Sequence, residues 1–136
     1  MILVDANVLM YAAGTNHPNK KPSITLLERV AEETIDAALD AEVLQEVLHR
    51  YRAIARWGEG RQVYESARKV FSIVLPITAG TLDQARSLLD EHDAISARDA
   101  LHAAVVLING LDGLCSYDQG FDQVAAIRRI SPDDLQ

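Results

Sequence analysis

The chain has 136 residues, 49% of them apolar and only 5% aromatic, with a formal net charge of −7. That length suits a single domain over 1–136 with an aliphatic core, and no stretch approaches the ~20 consecutive apolar residues of a membrane span. The acidic balance excludes a surface that coats nucleic acid all over, and a lone Cys115 excludes an internal disulfide.

Ile2-Leu3-Val4 is short, apolar and partly β-branched, which predicts a buried strand with Asp5 at its C-terminal end. A short helix is expected over Asn7–Ala13, then a polar loop from Gly14 to Pro22. Ser23 stands where it could cap the next helix, whose inner face carries Leu26, Leu27 and Val30. Thr34–Leu39 reads as a second strand and Asp40 as the cap of a helix whose apolar residues, Val43 to Ile54, recur at helical spacing up to about Arg56. Gly58 and Gly60 are expected to break the chain before a second amphipathic helix over Val63–Val70. Val74–Ile77 predicts a third strand, placed at an edge or a strand end by Pro76.

Thr81–Glu91 is helical in pattern, and Ser96 opens a further helix that is apolar around most of its circumference and so buried. Gly110 and Gly113 flank its end, Leu114–Ser116 reads as a fourth strand, and Ile127–Ile130 as a fifth. Strands separated by helices predict an α/β domain around a parallel sheet. Right-handed crossovers gather the strand C-terminal ends at one edge, where ligands of such sheets sit.

Four acids reach that edge from four separate segments. Asp5 follows the first strand, Glu46 lies about ~9 Å along the helix after the second, Asp99 opens the buried helix, and Asp118 follows the fourth strand. Each also has a plain structural role: a helix cap for Asp5 and Asp118, a solvated helix face for Glu46, and a capping box Ser96-x-x-Asp99 at a favourable dipole end. Together they are costly unless a cation neutralises them. Oxygen ligands favour Mg²⁺ or Mn²⁺ over zinc. His102, one turn beyond Asp99, reads as a satisfied semi-buried histidine rather than a ligand. The stretch His49–Lys69 runs the other way in charge, with Arg50, Arg52, Arg56, Arg61, Arg68 and Lys69 against Glu59 and Glu65.

At these residues the chain resembles the PIN-domain nucleases and, within them, the VapC-type toxins of toxin–antitoxin pairs. The matching stretches, in family order, are Val4–Leu9, Val43–Arg50, Ala97–Ala103 and Ser116–Asp122. The resemblance implies a three-layer α/β/α fold with a central, mainly parallel sheet of four to five strands. It implies an acidic catalytic site of Asp5, Glu46, Asp99 and Asp118, with Asp5, Asp99 and Asp118 as direct ligands of Mg²⁺ or Mn²⁺. Asn7, Ser116 and Asp122 would be supporting residues. The implied activity is endoribonucleolytic, with a homodimer and a cognate antitoxin that inserts a segment into the acidic groove. Arg50, Arg52 and Arg56 follow Glu46 on its helix and could grip flanking phosphates, a solvated face or antitoxin contact being the alternative. A cytoplasmic location is expected, since the N-terminus lacks a secretory pattern.

Two other readings compete. A phosphatase of the haloacid-dehalogenase type needs a second Asp where Asn7 stands. A non-catalytic PIN-like module that binds RNA or protein would keep the fold without turnover, and metal-dependent cleavage separates the two.

Overall fold

Ile2–Val4 forms the central strand, β1, of a five-stranded sheet in the computed structural model, which describes residues 1–136. The others are β2 (Ala37–Asp40), β3 (Val74–Leu75), β4 (Gly113–Cys115) and β5 (Arg129–Ile130), in the order β3-β2-β1-β4-β5 with every pair parallel. Six helices connect them: α1 (Ala6–Ala13), α2 (Lys20–Ala31), α3 (Ala41–Ala53), α4 (Trp57–Val70), α5 (Ala79–Glu91) and α6 (Ala97–Ile108). Single 3₁₀ turns follow at Gln119–Gln123 and Pro132–Leu135. No helix is long and apolar enough to cross a membrane.

Side chains alternate across a strand, and β1 shows the consequence. Ile2 and Val4 join a core built with α1 to α4, whereas Leu3 joins a second core with α5 and α6. The sheet is therefore sandwiched between two helical layers. The chain builds outward from β1 to β2 and β3, then crosses to β4 and β5 on the other side. That reversal opens a crevice between the C-terminal ends of β1 and β4.

The helix starts at this edge are capped by side chains. Asp5 accepts the Ala6 N–H, Asp40 the Val43 N–H, and Ser96 the Asp99 N–H. Thr78 and Thr81 form a reciprocal capping box on α5. Ser23, read as a cap, lies inside α2, which begins at Lys20. Its hydroxyl instead bonds the Asn19 carbonyl at 2.7 Å and the Tyr117 hydroxyl at 2.8 Å. Three strands are shorter than the runs that announce them: Thr34–Asp36 lies outside β2, Pro76–Ile77 outside β3, and β5 keeps only Arg129–Ile130 of Ile127–Ile130, while β4 starts and ends one residue earlier than Leu114–Ser116.

The α3–α4 connection also differs from expectation. Gly58 and Gly60 both lie within α4. The turn comes earlier, at Ala55, whose φ of 57° is left-handed. The Arg56 N–H reaches the Tyr51 carbonyl and the Ala55 N–H the Arg52 carbonyl, closing a Schellman motif. Gly60 serves contact instead, because a Cβ there would fall 2.4 Å from the Tyr51 Cβ.

Candidate active site

Asp5 leaves β1 straight into the crevice and is 6% exposed. Its Oδ1 accepts the Ala6 N–H at 2.7 Å, and its Oδ2 accepts the Ser116 hydroxyl at 2.7 Å. Ser116 sits at the end of β4 and ties the crevice together. Its oxygen also accepts from the Asn7 side-chain amide at 3.0 Å and from the Asp118 N–H at 3.0 Å. Asn7, Ser116 and the Asp5 carboxyl are thus one hydrogen-bonded unit with the backbone of Asp118.

Glu46 enters from α3, one oxygen against the buried His102 ring at 2.6 Å. The other ring nitrogen, Nδ1, lies 2.6 Å from Asp40 Oδ2, and Asp5 Oδ1 is 3.8 Å from Nε2. Asp5, Glu46 and His102 offer ligand atoms all within 4.8 Å of one another. A neutral imidazole has one N–H, yet both nitrogens here face carboxylate oxygens, so the geometry calls for the doubly protonated ring. Burial works against that charge, but the bonds to Asp40 and Glu46 overcome it and hold His102 well above its ordinary value.

The carboxylates feel the crowding. Burial pushes Asp5 up to about 6, with the His102 charge and the Ser116 bond opposing it. Asp99, half-buried at the start of α6, is raised by burial and then by the charge of Asp118. Glu42, one turn before Glu46, is raised by burial and by Glu46 itself. The charge of Glu46 thus acts on both Asp5 and Asp99, and that of Asp118 on Asp99, as like charges that oppose their ionisation.

Asp118 is exposed and caps the 3₁₀ turn Gln119–Gln123 through the Gly120 N–H. Asp122 accepts a two-point pair from Arg129, at 2.8 and 3.2 Å. The three arginines of α3 and its exit part company. Arg50 and Arg56 line a groove of about 660 Å³ that ends at Glu46 and also carries His17, His49 and Arg98. Arg56 is already paired with Glu59, at 2.6 Å. Arg52 lies outside that groove, its guanidinium 6.0 Å from the Trp57 ring centre. Arg98 is 3.6 Å from Glu46 and 3.9 Å from Glu42.

Two elements were not anticipated: Asp40 as more than a helix cap, and Arg98 in the groove. A histidine on a helix face otherwise built of Ala and Val was the available signal, because a buried ring nitrogen must find a partner.

The donor set fits a hard divalent cation. Asp5 and Glu46 supply oxygens, Asp99 and Asp118 add charge close by, and both nitrogens of His102 are occupied by carboxylates. A buried carboxylate raised to about 6 is a group that a cation would relieve.

Residues 2–127 match the PIN domain family. Ribonuclease VapC13 of Mycobacterium tuberculosis is 40% identical over 131 residues, covering 96% of this chain and all of the relative. Among solved structures, the chain is similar to Mycobacterium tuberculosis VapC20, a sarcin-ricin loop cleaving toxin, with 19% identity and a TM-score of 0.76 over 97% of this chain and 100% of that one. It is also similar to a chain of a toxin–antitoxin complex from Klebsiella pneumoniae, with 16% identity and a TM-score of 0.67 over 97% and 98%. The three-layer fold, the ordered acids at the strand edge and these likenesses agree: the chain belongs to the PIN domain family, in its VapC group.

Proposed function

We propose that this chain is a metal-dependent endoribonuclease, the toxin of a toxin–antitoxin pair, cutting RNA phosphodiester bonds at the Asp5–Glu46–Asp99–Asp118 crevice. The observation that carries the reading is the buried, raised Asp5 beside Glu46, their ligand oxygens within 4.8 Å, with Asp99 coupled through charge to Glu46 and Asp118. Relatives named as ribonucleases, at 40% identity over nearly the whole chain, support the substrate class.

Asp5, Asp99 and Asp118 would hold Mg²⁺ or Mn²⁺, and Glu46 would ligate or orient the attacking water. A bound divalent ion supplies Lewis-acid chemistry, making a water nucleophilic and stabilising the departing 3′-oxygen. Ser116 and Asn7 keep the Asp5 carboxyl in one orientation through their shared hydrogen bonds. Arg50 and Arg98 stand at the groove wall, where flanking phosphates would lie. The overall charge of −7 limits binding elsewhere, so recognition concentrates at this groove. Looped or single-stranded RNA is the substrate shape that suits it, since unpaired bases can be splayed out. A homodimer, a cognate antitoxin entering the acidic groove and a cytoplasmic location complete the proposal.

The test is incubation of the purified chain with total bacterial RNA and Mg²⁺ or Mn²⁺, beside EDTA and an Asp99→Asn control. Discrete fragments that require both metal and Asp99 support the reading. Intact RNA with either metal and a folded protein would leave a non-catalytic binding module as the better account.

A further inference from the structure

His102 is completely buried, and none of the steps above uses it. It projects from α6 among Ala100, Ala103, Ala104, Val105 and Val106, where each buried ring nitrogen must find a partner. Its Nδ1 is 2.6 Å from Asp40 Oδ2 and its Nε2 is 2.6 Å from Glu46 Oε1. Asp40 cannot drift, because its other oxygen accepts the Val43 N–H at 2.8 Å and caps α3. Glu46 lies on that same helix. A glutamate has more rotamer freedom than most side chains, and here one end of it is tied, through a rigid ring, to a fully buried anchor. Arg98 approaches the same oxygen, Oε1, at 3.6 Å. The second oxygen of Glu46 makes no hydrogen bond to the protein and is the one open to a cation or water.

We propose that His102, anchored by Asp40, is a positioning residue that fixes the Glu46 carboxyl for the metal site. The inference rests on the metal-site reading given above. The ring acts through Glu46 and is not a ligand, since both nitrogens are engaged by carboxylates.

Two neutral variants separate this from a merely structural role. In His102→Gln the amide nitrogen reaches the place of Nε2, keeping a donor to Glu46 and giving up Asp40. In His102→Asn the shorter side chain stays with Asp40 and leaves Glu46 untethered. The loss of the ring is common to both and cancels in their ratio. Mn²⁺ affinity of the full chain, measured without RNA by electron paramagnetic resonance, should be about tenfold higher for His102→Gln than for His102→Asn, the lower end of the effect of a ligand-orienting partner. Affinities within twofold of each other, in variants whose melting curves prove them folded, would overturn the inference. Wild-type protein that binds no Mn²⁺ would remove the metal reading beneath it.

If a variant fails to fold, the wild type still decides. In a crystal structure of the Mn²⁺-loaded wild type, His102 Nε2 should stay within hydrogen-bond distance of Glu46 and outside the ion's ligand shell. A ring nitrogen bonded to the ion, or a ring turned away from Glu46, would overturn the proposal.

Discussion

Replacing Asp5 with Asn should make the metal-free protein more stable while abolishing its chemistry. Asp5 is buried, and burial lifts its carboxyl from the ordinary 3.8 to about 6. The folded chain therefore holds this proton more tightly than the unfolded chain does. Between about 3.8 and 6 the folded state binds more protons, so stability falls as pH rises and the full cost is present above pH 6. At about 1.4 kcal/mol per pH unit, that cost is about 3 kcal/mol at pH 8. Asparagine carries no charge and its oxygen can still cap α1, while its amide must compete with Asn7 and the Asp118 N–H for the Ser116 oxygen, so part of the gain is lost. Even half to all of the cost recovered corresponds to a Tm rise of about 5–10 °C for a chain of this size. Differential scanning fluorimetry in EDTA reads it directly: a clear rise at pH 8, shrinking toward zero at pH 4, where wild-type Asp5 is already protonated. Saturating Mn²⁺ should raise the wild-type Tm at pH 8 and leave the variant's unchanged. A variant that melts lower than wild type by the same margin at both pH values would refute the reasoning, because buried charge would then not be what Asp5 costs the fold.

Asp122→Asn should leave the cleavage rate within about threefold and stability within about 1 kcal/mol, because Asp122 is spent on an exposed pair with Arg129. A hundredfold loss in a single-turnover assay would place Asp122 in the chemistry. Gly60→Ala should cost about 1–3 kcal/mol in chemical denaturation, since the new methyl meets the Tyr51 Cβ and forces α4 away from α3; an unchanged midpoint would mean that the helices separate freely. Arg50→Ala should weaken RNA binding at every sequence alike and reduce the slope of log K against log salt by about 0.7, the contribution of one phosphate contact on a single strand. An unchanged slope in a filter-binding titration would free Arg50 from that role.

The sheet edge was legible because its logic is local. An acid directly after an apolar strand needs no long-range information, which is why Asp5 and Asp118 could be placed at the strand ends from their neighbours alone. The Asp40–His102 bond joins positions 62 residues apart and depends on how α3 and α6 meet at that edge, so no pattern within either helix announces it. Gly60 misleads for a related reason. Glycine is a common local break, but here it is selected by contact with Tyr51, while an alanine takes the left-handed turn at 55. The pairing of Asp122 with Arg129 from β5 is likewise a contact that the stretch Ser116–Asp122 does not announce.

The central claim is that a water held at the carboxylate crevice, rather than the RNA's own 2′-hydroxyl, breaks the phosphodiester bond. The direct measurement is end-group analysis of the fragments produced with Mn²⁺ and with EDTA. The expected fragments carry 5′-phosphate and 3′-hydroxyl ends, formed only with the metal and lost in Asp99→Asn. Ends bearing a 2′,3′-cyclic phosphate, or cleavage that continues in EDTA, would contradict the claim.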